Sequence, residues 1–199
     1  MENPANTELK LLDLLRSRYS PRAFADRPVD AGDLDLLFEA ARWAPSCFNE
    51  QPWRFVVATR EDPEAHATMS AGLVESNRLW ASKAPVLLLC TTSSTFAKNG
   101  KQNALAEHDL GLAMGNLTAQ ATALGLSLHM MAGINRDLLR ESYGIPEDVA
   151  IVCAAAVGYA GPAELLPEAL ADRERAPRLR KPQAELVFSG RWGTPRSAS

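Results

Sequence analysis

A long helix is written into residues 103–126, NALAEHDLGLAMGNLTAQATALGL, and it dictates much of what must surround it. The stretch is apolar or small on nearly every side, which predicts a buried helix rather than one laid on a surface. Gly111 and Gly115, one turn apart, permit close backbone approach and favour packing against a second long helix.

The flanking segments supply the other elements. NTELKLLDLLRSR, with Asn6 or Thr7 as cap and Leu9, Leu12 and Leu15 at helical spacing, predicts an opening helix. It should end near RYSPRAF, because Pro21 disfavours helix at Ser20. GDLDLLFEAARWA predicts a second helix, beginning at Asp30 or Asp33 and stopping at Pro45. After Pro52, WRFVVAT reads as a strand, and DPEAHATMSAGLVESNRLWASK as a helical region of weak period. APVLLLCTT is a buried strand, and SLHMMAG and VAIVCAAAVGY are two more, separated by a short helix at NRDLLRESYG. Strands this few and this irregularly separated do not suit a doubly wound fold. They predict an α+β arrangement, a sheet flanked by helices. The tail from LLPEALADRERAPRLRK onward is charged, proline-punctuated and poor in core residues, so it is suited to reaching across a surface or a partner subunit. With 199 residues, 46% of them hydrophobic, a single domain over 1–199 is expected.

A formal charge of −3 argues against a general nucleic-acid or membrane-surface binder. Any anion must therefore be held by a local basic cluster. The N-terminus lacks the basic region and apolar run of a secretory signal, and no stretch of spanning length is free of polar residues, so a cytoplasmic location is expected. Cys47, Cys90 and Cys153 are widely spaced and read as reduced, small core residues. The sequence contains no dinucleotide fingerprint, P-loop, G-x-S-x-G elbow, C-x-x-C or H-E-x-x-H, and its three histidines are far apart, so no protein-bound metal is expected. Cys47 with His108 or His129 as nucleophile and base has no local signature to support it. The arginines are more informative. They form two groups, Arg16, Arg18 and Arg22 near the start and Arg178, Arg180 and Lys181 near the end. RYS offers one anion a guanidinium, a hydroxyl and backbone amides, and arginine suits phosphate geometry.

RSRYSPRAFADRPV, AARWAPSCFNEQPWRFVVA, NRLWASKAPVLLL, AEHDLGLAMGNLTAQATALGL, AGINRDLLRESYGIPED, AAVGYAG and RLRKPQAELVFSGRWG, taken in order, resemble the FMN-dependent nitroreductase family across almost the whole chain. The resemblance implies a nitroreductase-like α+β fold with a central, mostly antiparallel sheet flanked by helices. It also implies an intertwined homodimer whose segment from about residue 175 reaches the partner. Arg18, Tyr19 and Ser20 would hold the FMN phosphate and ribityl chain, with Arg22 near the pyrimidine edge. A cation there stabilises the charge of reduced flavin, so Arg22 becomes the tuning residue. Pro45, Ser46, Cys47 and Asn49 would line the flavin of the opposite subunit, with Gln51 bracing their loop. Asn77 would meet the ring edge, and Ala132 and Gly133 would aim a backbone amide at N5. Arg178 and Arg180 would close over the phosphate. Family members often carry an acidic residue in place of Ala132 and Phe-Asp in place of Ile134 and Asn135.

The implied activity is ping-pong transfer of hydride from NADH or NADPH through flavin N5 to a nitroaromatic, a quinone or another small acceptor. Reduction of an enal, enone or aldehyde, or dehalogenation, on the same scaffold is an alternative, although this chain lacks the substrate-covering insertion usual for dehalogenation. A non-catalytic flavin module is a further reading.

Overall fold

The computed structural model describes residues 3–196, so the extreme ends of the expected 1–199 domain, residues 1–2 and 197–199, lie outside the described residues. The elements run α1 (Asp13–Ser17), α2 (Ala31–Arg42), β1 (Trp53–Thr59), α3 (Pro63–Ala71), α4 (Glu75–Ala81), β2 (Val86–Ser93), α5 (Ala106–Ala123), β3 (Ser127–Met131), α6 (Arg136–Tyr143), β4 (Val149–Gly158) and α7 (Glu168–Arg175). The four strands form one sheet in the order β1-β2-β4-β3, and every neighbouring pair is antiparallel.

VLLLC forms a central strand because it is covered on both faces. Val86, Leu88 and Cys90 face a cluster with Leu37 of α2 and Leu110, Met114 and Leu117 of α5. Leu87 and Leu89 face the other cluster, with Met69 of α3, Trp80 of α4 and Leu139 of α6. Burying each of these leucines contributes about 1.5–3 kcal/mol, enough to override the turn-by-turn preferences of the segments that cover them. Between Cys90 and Thr91 the register slips by one residue. The Arg136 guanidinium ties down that irregularity by donating to the carbonyls of Ile151 and Val152 at 2.9 and 3.1 Å.

α5 packs against α2, but through Leu110, Ala113, Met114 and Leu117 rather than through its glycines, and only one of its faces is buried. Gly111, Leu112, Gly115 and Asn116 form an exposed stripe, and a Cβ added at either glycine would meet nothing within 4 Å.

Three expectations are corrected. The opening helix shrinks to Asp13–Ser17, because the Arg16 guanidinium donates to the carbonyls of Ala5, Thr7 and Leu9 and holds the preceding residues in a loop. Its leucines, Leu9, Leu12 and Leu15, remain exposed. The helical region 62–83 breaks into α3 and α4 at Gly72, where a Cβ would lie 2.3 Å from Leu139 Cδ2. The third correction is in the tail, which contains α7, with Ala171 and Glu174 buried.

Candidate functional site

The loop after α1 carries Arg18, Tyr19, Ser20 and Arg22, and the segment after α7 carries Arg178 and Arg180. The fold brings both into one pocket of about 260 Å³. Arg18 Nη1 donates to Ser20 Oγ at 3.2 Å. Arg178 Nη1 donates to the carbonyls of Asn3 and Arg16 at 2.8 and 3.2 Å, which pins the chain's two ends together. Arg180 Nη1 donates to its neighbour Leu179's carbonyl at 2.7 Å. Among the described residues none of Arg18, Arg178 and Arg180 pairs with a carboxylate. Partial burial, then the charges of Arg178 and Arg180, pull the Arg18 pKa below its ordinary value. Arg178 is lowered likewise, first by burial and then by Arg180. Such a cluster of like charges is relieved by a multiply charged anion.

Beneath this pocket lies a residue the sequence reading missed. Glu174, only 4% exposed, accepts the backbone N–H of Arg22 on both oxygens at 3.0 Å and that of Ala23 at 3.4 Å. Its Oε2 also lies 4.0 Å from Arg22 Nη1. The carboxylate thus fastens α7, and the arginines that follow it, to the loop that bears Arg18. Burial and then the Glu174 charge push the Tyr19 phenol up to about 12. Nothing in RERAPRLR marks one glutamate among arginines as buried, because its partners lie 152 residues away.

Asn77 and Gly133 also come together. Asn77 Nδ2 donates to Gly133 O at 3.0 Å, and Val74 N–H reaches the same carbonyl at 3.1 Å. A Cβ on Gly133 would lie 2.7 Å from both Asn77 Nδ2 and Val74 Cγ2, so only glycine fits there. The Gly133 N–H has no hydrogen-bond partner among the described residues, and neighbouring Ala132 is exposed. The His129 and Trp80 rings meet tilted at 41°, their centroids 4.5 Å apart, and His129 Nδ1 lies 2.9 Å from the Pro21 carbonyl.

The loop of Pro45, Ser46, Cys47 and Asn49 stands elsewhere. It lines neither this pocket nor the two other cavities to which Arg18 contributes. Its backbone is left-handed at Phe48, Asn49 and Gln51, with φ of 52°, 57° and 52°. Such conformations cost of order 1–3 kcal/mol each and persist only where surroundings enforce them. Those surroundings are identifiable. Buried Asp109, another residue the sequence reading missed, accepts the Cys47 N–H at 2.9 Å, and Ser46 Oγ accepts the Gln51 N–H at 3.0 Å. Gln51 Nε2 donates to Asn49 O at 2.9 Å, which fits a bracing role. Phe48, 90% exposed, makes an edge contact with Phe96. The Cys47 thiol makes no hydrogen bond to either candidate histidine among the described residues. His108 instead bonds Asp109, and His129 the Pro21 carbonyl.

A four-stranded antiparallel sheet between helical layers, with an arginine-rich pocket where the segment after α7 meets the loop after α1, defines an α+β protein. The chain belongs to the Nitroreductase family, whose model matches residues 15–159. It is similar to a solved oxidoreductase containing FMN, at 35% identity and a TM-score of 0.90, with 98% of each chain covered. It also resembles a nitroreductase family protein from Clostridium difficile 630, at 26% identity and a TM-score of 0.71, over 92% of this chain and 99% of that one. With the FMN reductase (NAD(P)H) of Bacillus subtilis (strain 168) it shares 28% identity over 167 residues, 75% of this chain and 66% of that protein. Among the described residues no helix is long and apolar enough to cross a membrane.

Proposed function

We propose that this protein is an FMN-dependent NAD(P)H oxidoreductase acting on a nitroaromatic, a quinone or another small electron acceptor. It would work as a cytoplasmic homodimer of one-domain subunits. The observation that carries the reading is the cluster of Arg18, Arg178 and Arg180, which among the described residues lack carboxylate partners and which gather beside Ser20. The donor set fits a phosphate monoester, since guanidinium groups offer paired N–H bonds to its oxygens. The unpaired N–H of Gly133, on a backbone that no side chain could share with Asn77, fits a flat ring brought close.

In this reading Arg18, Tyr19, Ser20, Arg178 and Arg180 hold the phosphate and ribityl end. Asn77 orients the ring edge while it holds the Gly133 carbonyl. Ala132 and Gly133 present backbone to the ring, and Arg22 places a positive charge where reduction would deposit a negative one. When bound, FMN supplies hydride transfer at N5 from NADH or NADPH to the acceptor, in ping-pong order. Pro45, Ser46, Cys47 and Asn49 serve the neighbouring subunit's site. This assignment is supported by the loop's separation from the arginine pocket of its own chain and by the exposed stripe on α5. Leu179 and Trp192, 81% and 92% exposed, support a C-terminal segment that wraps the partner.

The purified protein should be yellow, and NADH or NADPH should bleach it. Arg18→Ala and Arg178→Ala should each weaken FMN by about 1.5–3 kcal/mol, a loss of roughly tenfold to hundredfold. Protein that shows no flavin spectrum and takes up no added FMN, or variants with unaltered FMN affinity, would refute the assignment.

A further inference from the structure

A second cavity, of about 440 Å³, shares only Arg22 with the arginine pocket. Arg60 and Lys83 stand in its wall, with Asp26, Leu79 and Leu165 among its other lining residues. Arg60 Nη1 lies 2.6 Å from Asp26 Oδ1, and its Nη2 donates to the Lys83 carbonyl. The Asp26 side chain is 96% exposed, so it holds Arg60 from the solvent side and can swing away. The Lys83 ammonium has no ion pair or hydrogen bond among the described residues. Leu79 and Leu165 are each 59% exposed, an unusual amount of leucine surface around one opening.

We propose that this cavity is a binding site for a small aromatic monocarboxylate, its carboxylate between Arg60 and Lys83 and its ring against Leu79 and Leu165. The charges select the class. Asp26 answers Arg60, and Glu174 lies against Arg22, which leaves the Lys83 charge unmatched. A monoanion completes that balance, whereas a dianion exceeds it. The bond from Arg60 to Asp26 also shows that this guanidinium accepts a carboxylate at the cavity, so Asp26 acts as a tethered competitor for the ligand. The rim leucines supply the apolar contact that a simple inorganic anion would waste.

Apart from Arg22 the site uses none of the residues assigned to FMN, and its test is a binding measurement on the full chain. The protein as purified is titrated calorimetrically with 1-naphthoate and, as neutral counterpart, 1-naphthalenemethanol. Naphthoate should bind saturably and at least tenfold more tightly than the alcohol. Lys83→Met and Arg60→Ala should each weaken it at least fivefold, while Asp26→Asn should tighten it. Lys83 and Asp26 are exposed, so those two variants keep the test valid if Arg60→Ala misfolds. Arg18→Ala should leave naphthoate affinity unchanged. Equal binding of the alcohol, indifference to Lys83→Met and Asp26→Asn, or dependence on Arg18 instead would each overturn the proposal. Failure of the protein to bind FMN would sink the function proposed above and leave this result standing.

Discussion

Glu174 does the work of a covalent staple without being one. A carboxylate buried to 4% exposure persists because three backbone N–H contacts and a nearby guanidinium replace the water it lost. Glu174→Gln leaves one acceptor oxygen and places an amide donor against those N–H groups. The expected cost is about 1.5–3 kcal/mol, which for a chain of this size lowers Tm by roughly 3–12 °C. FMN affinity should fall with it, because the loop bearing Arg18 is then no longer held; a Tm within a degree of the parent would show the contact to be idle. Gly133→Ala separates packing from charge. The added methyl must displace the Asn77 amide or the Val74 side chain, so flavin binding should weaken and the flavin absorption bands shift while the arginine pocket stays intact.

The elements differ in how legible they were, and the reason is physical. β1 and β2 follow from WRFVVAT and VLLLC because apolar runs with β-branched and aromatic residues favour strands, even though β1, at the sheet edge, fully buries only Trp53 and Ala58. α5 was equally plain as a helix, yet its fully apolar circumference misled about burial, since one face stays exposed in the single chain. α1 and α7 were misjudged for the opposite reason. A leucine-spaced segment lost its helix to a single arginine that captured three carbonyls, and a charged segment gained one through a contact far off in sequence. Local pattern cannot encode either event. Among the residues expected at the site, Arg18, Ser20, Arg178 and Arg180 come together in one pocket and were nominated by motif order, whereas Glu174 and Asp109 act through backbone groups and leave no motif. The exposed face of α5 permits a clean test of assembly. In an isolated chain Gly115→Ala fills empty space and should stabilise the helix by up to about 1 kcal/mol. In a dimer that packs there, Gly115→Leu should yield monomers in gel filtration and strip both subunits of FMN. A leucine variant that stays dimeric would move the interface elsewhere.

For the molecule as a whole, acid is the expected weakness. Burial, opposed by a bond to the Ala84 carbonyl, holds His66 below its ordinary pKa, and burial, opposed by the bond to the Pro21 carbonyl and joined by repulsion from Arg22, lowers His129 likewise. Both rings therefore bind fewer protons folded than unfolded. Stability rises with pH through this range, so it is present above the unfolded value of about 6.5 and is lost progressively as pH falls below it. Thermal melts between pH 7.5 and 5 (roughly the span over which a free imidazole titrates) should show Tm falling toward acid, and His129→Gln should flatten that slope. An unchanged slope would place the sensitivity on the carboxylates instead.

Asn3, Arg16 and Arg178 interlock, and Arg22 reaches across 152 residues to Glu174. That closure has a consequence for how the protein is made. The strands and α5 can assemble on a growing chain, but the anion pocket cannot exist until residues 174–180 have been synthesised and have folded back onto the first two dozen. A nascent chain released before residue 174 would have its sheet but lack Glu174 and the arginines that complete the pocket, so retention of the proposed phosphate ligand would report that synthesis has passed residue 180.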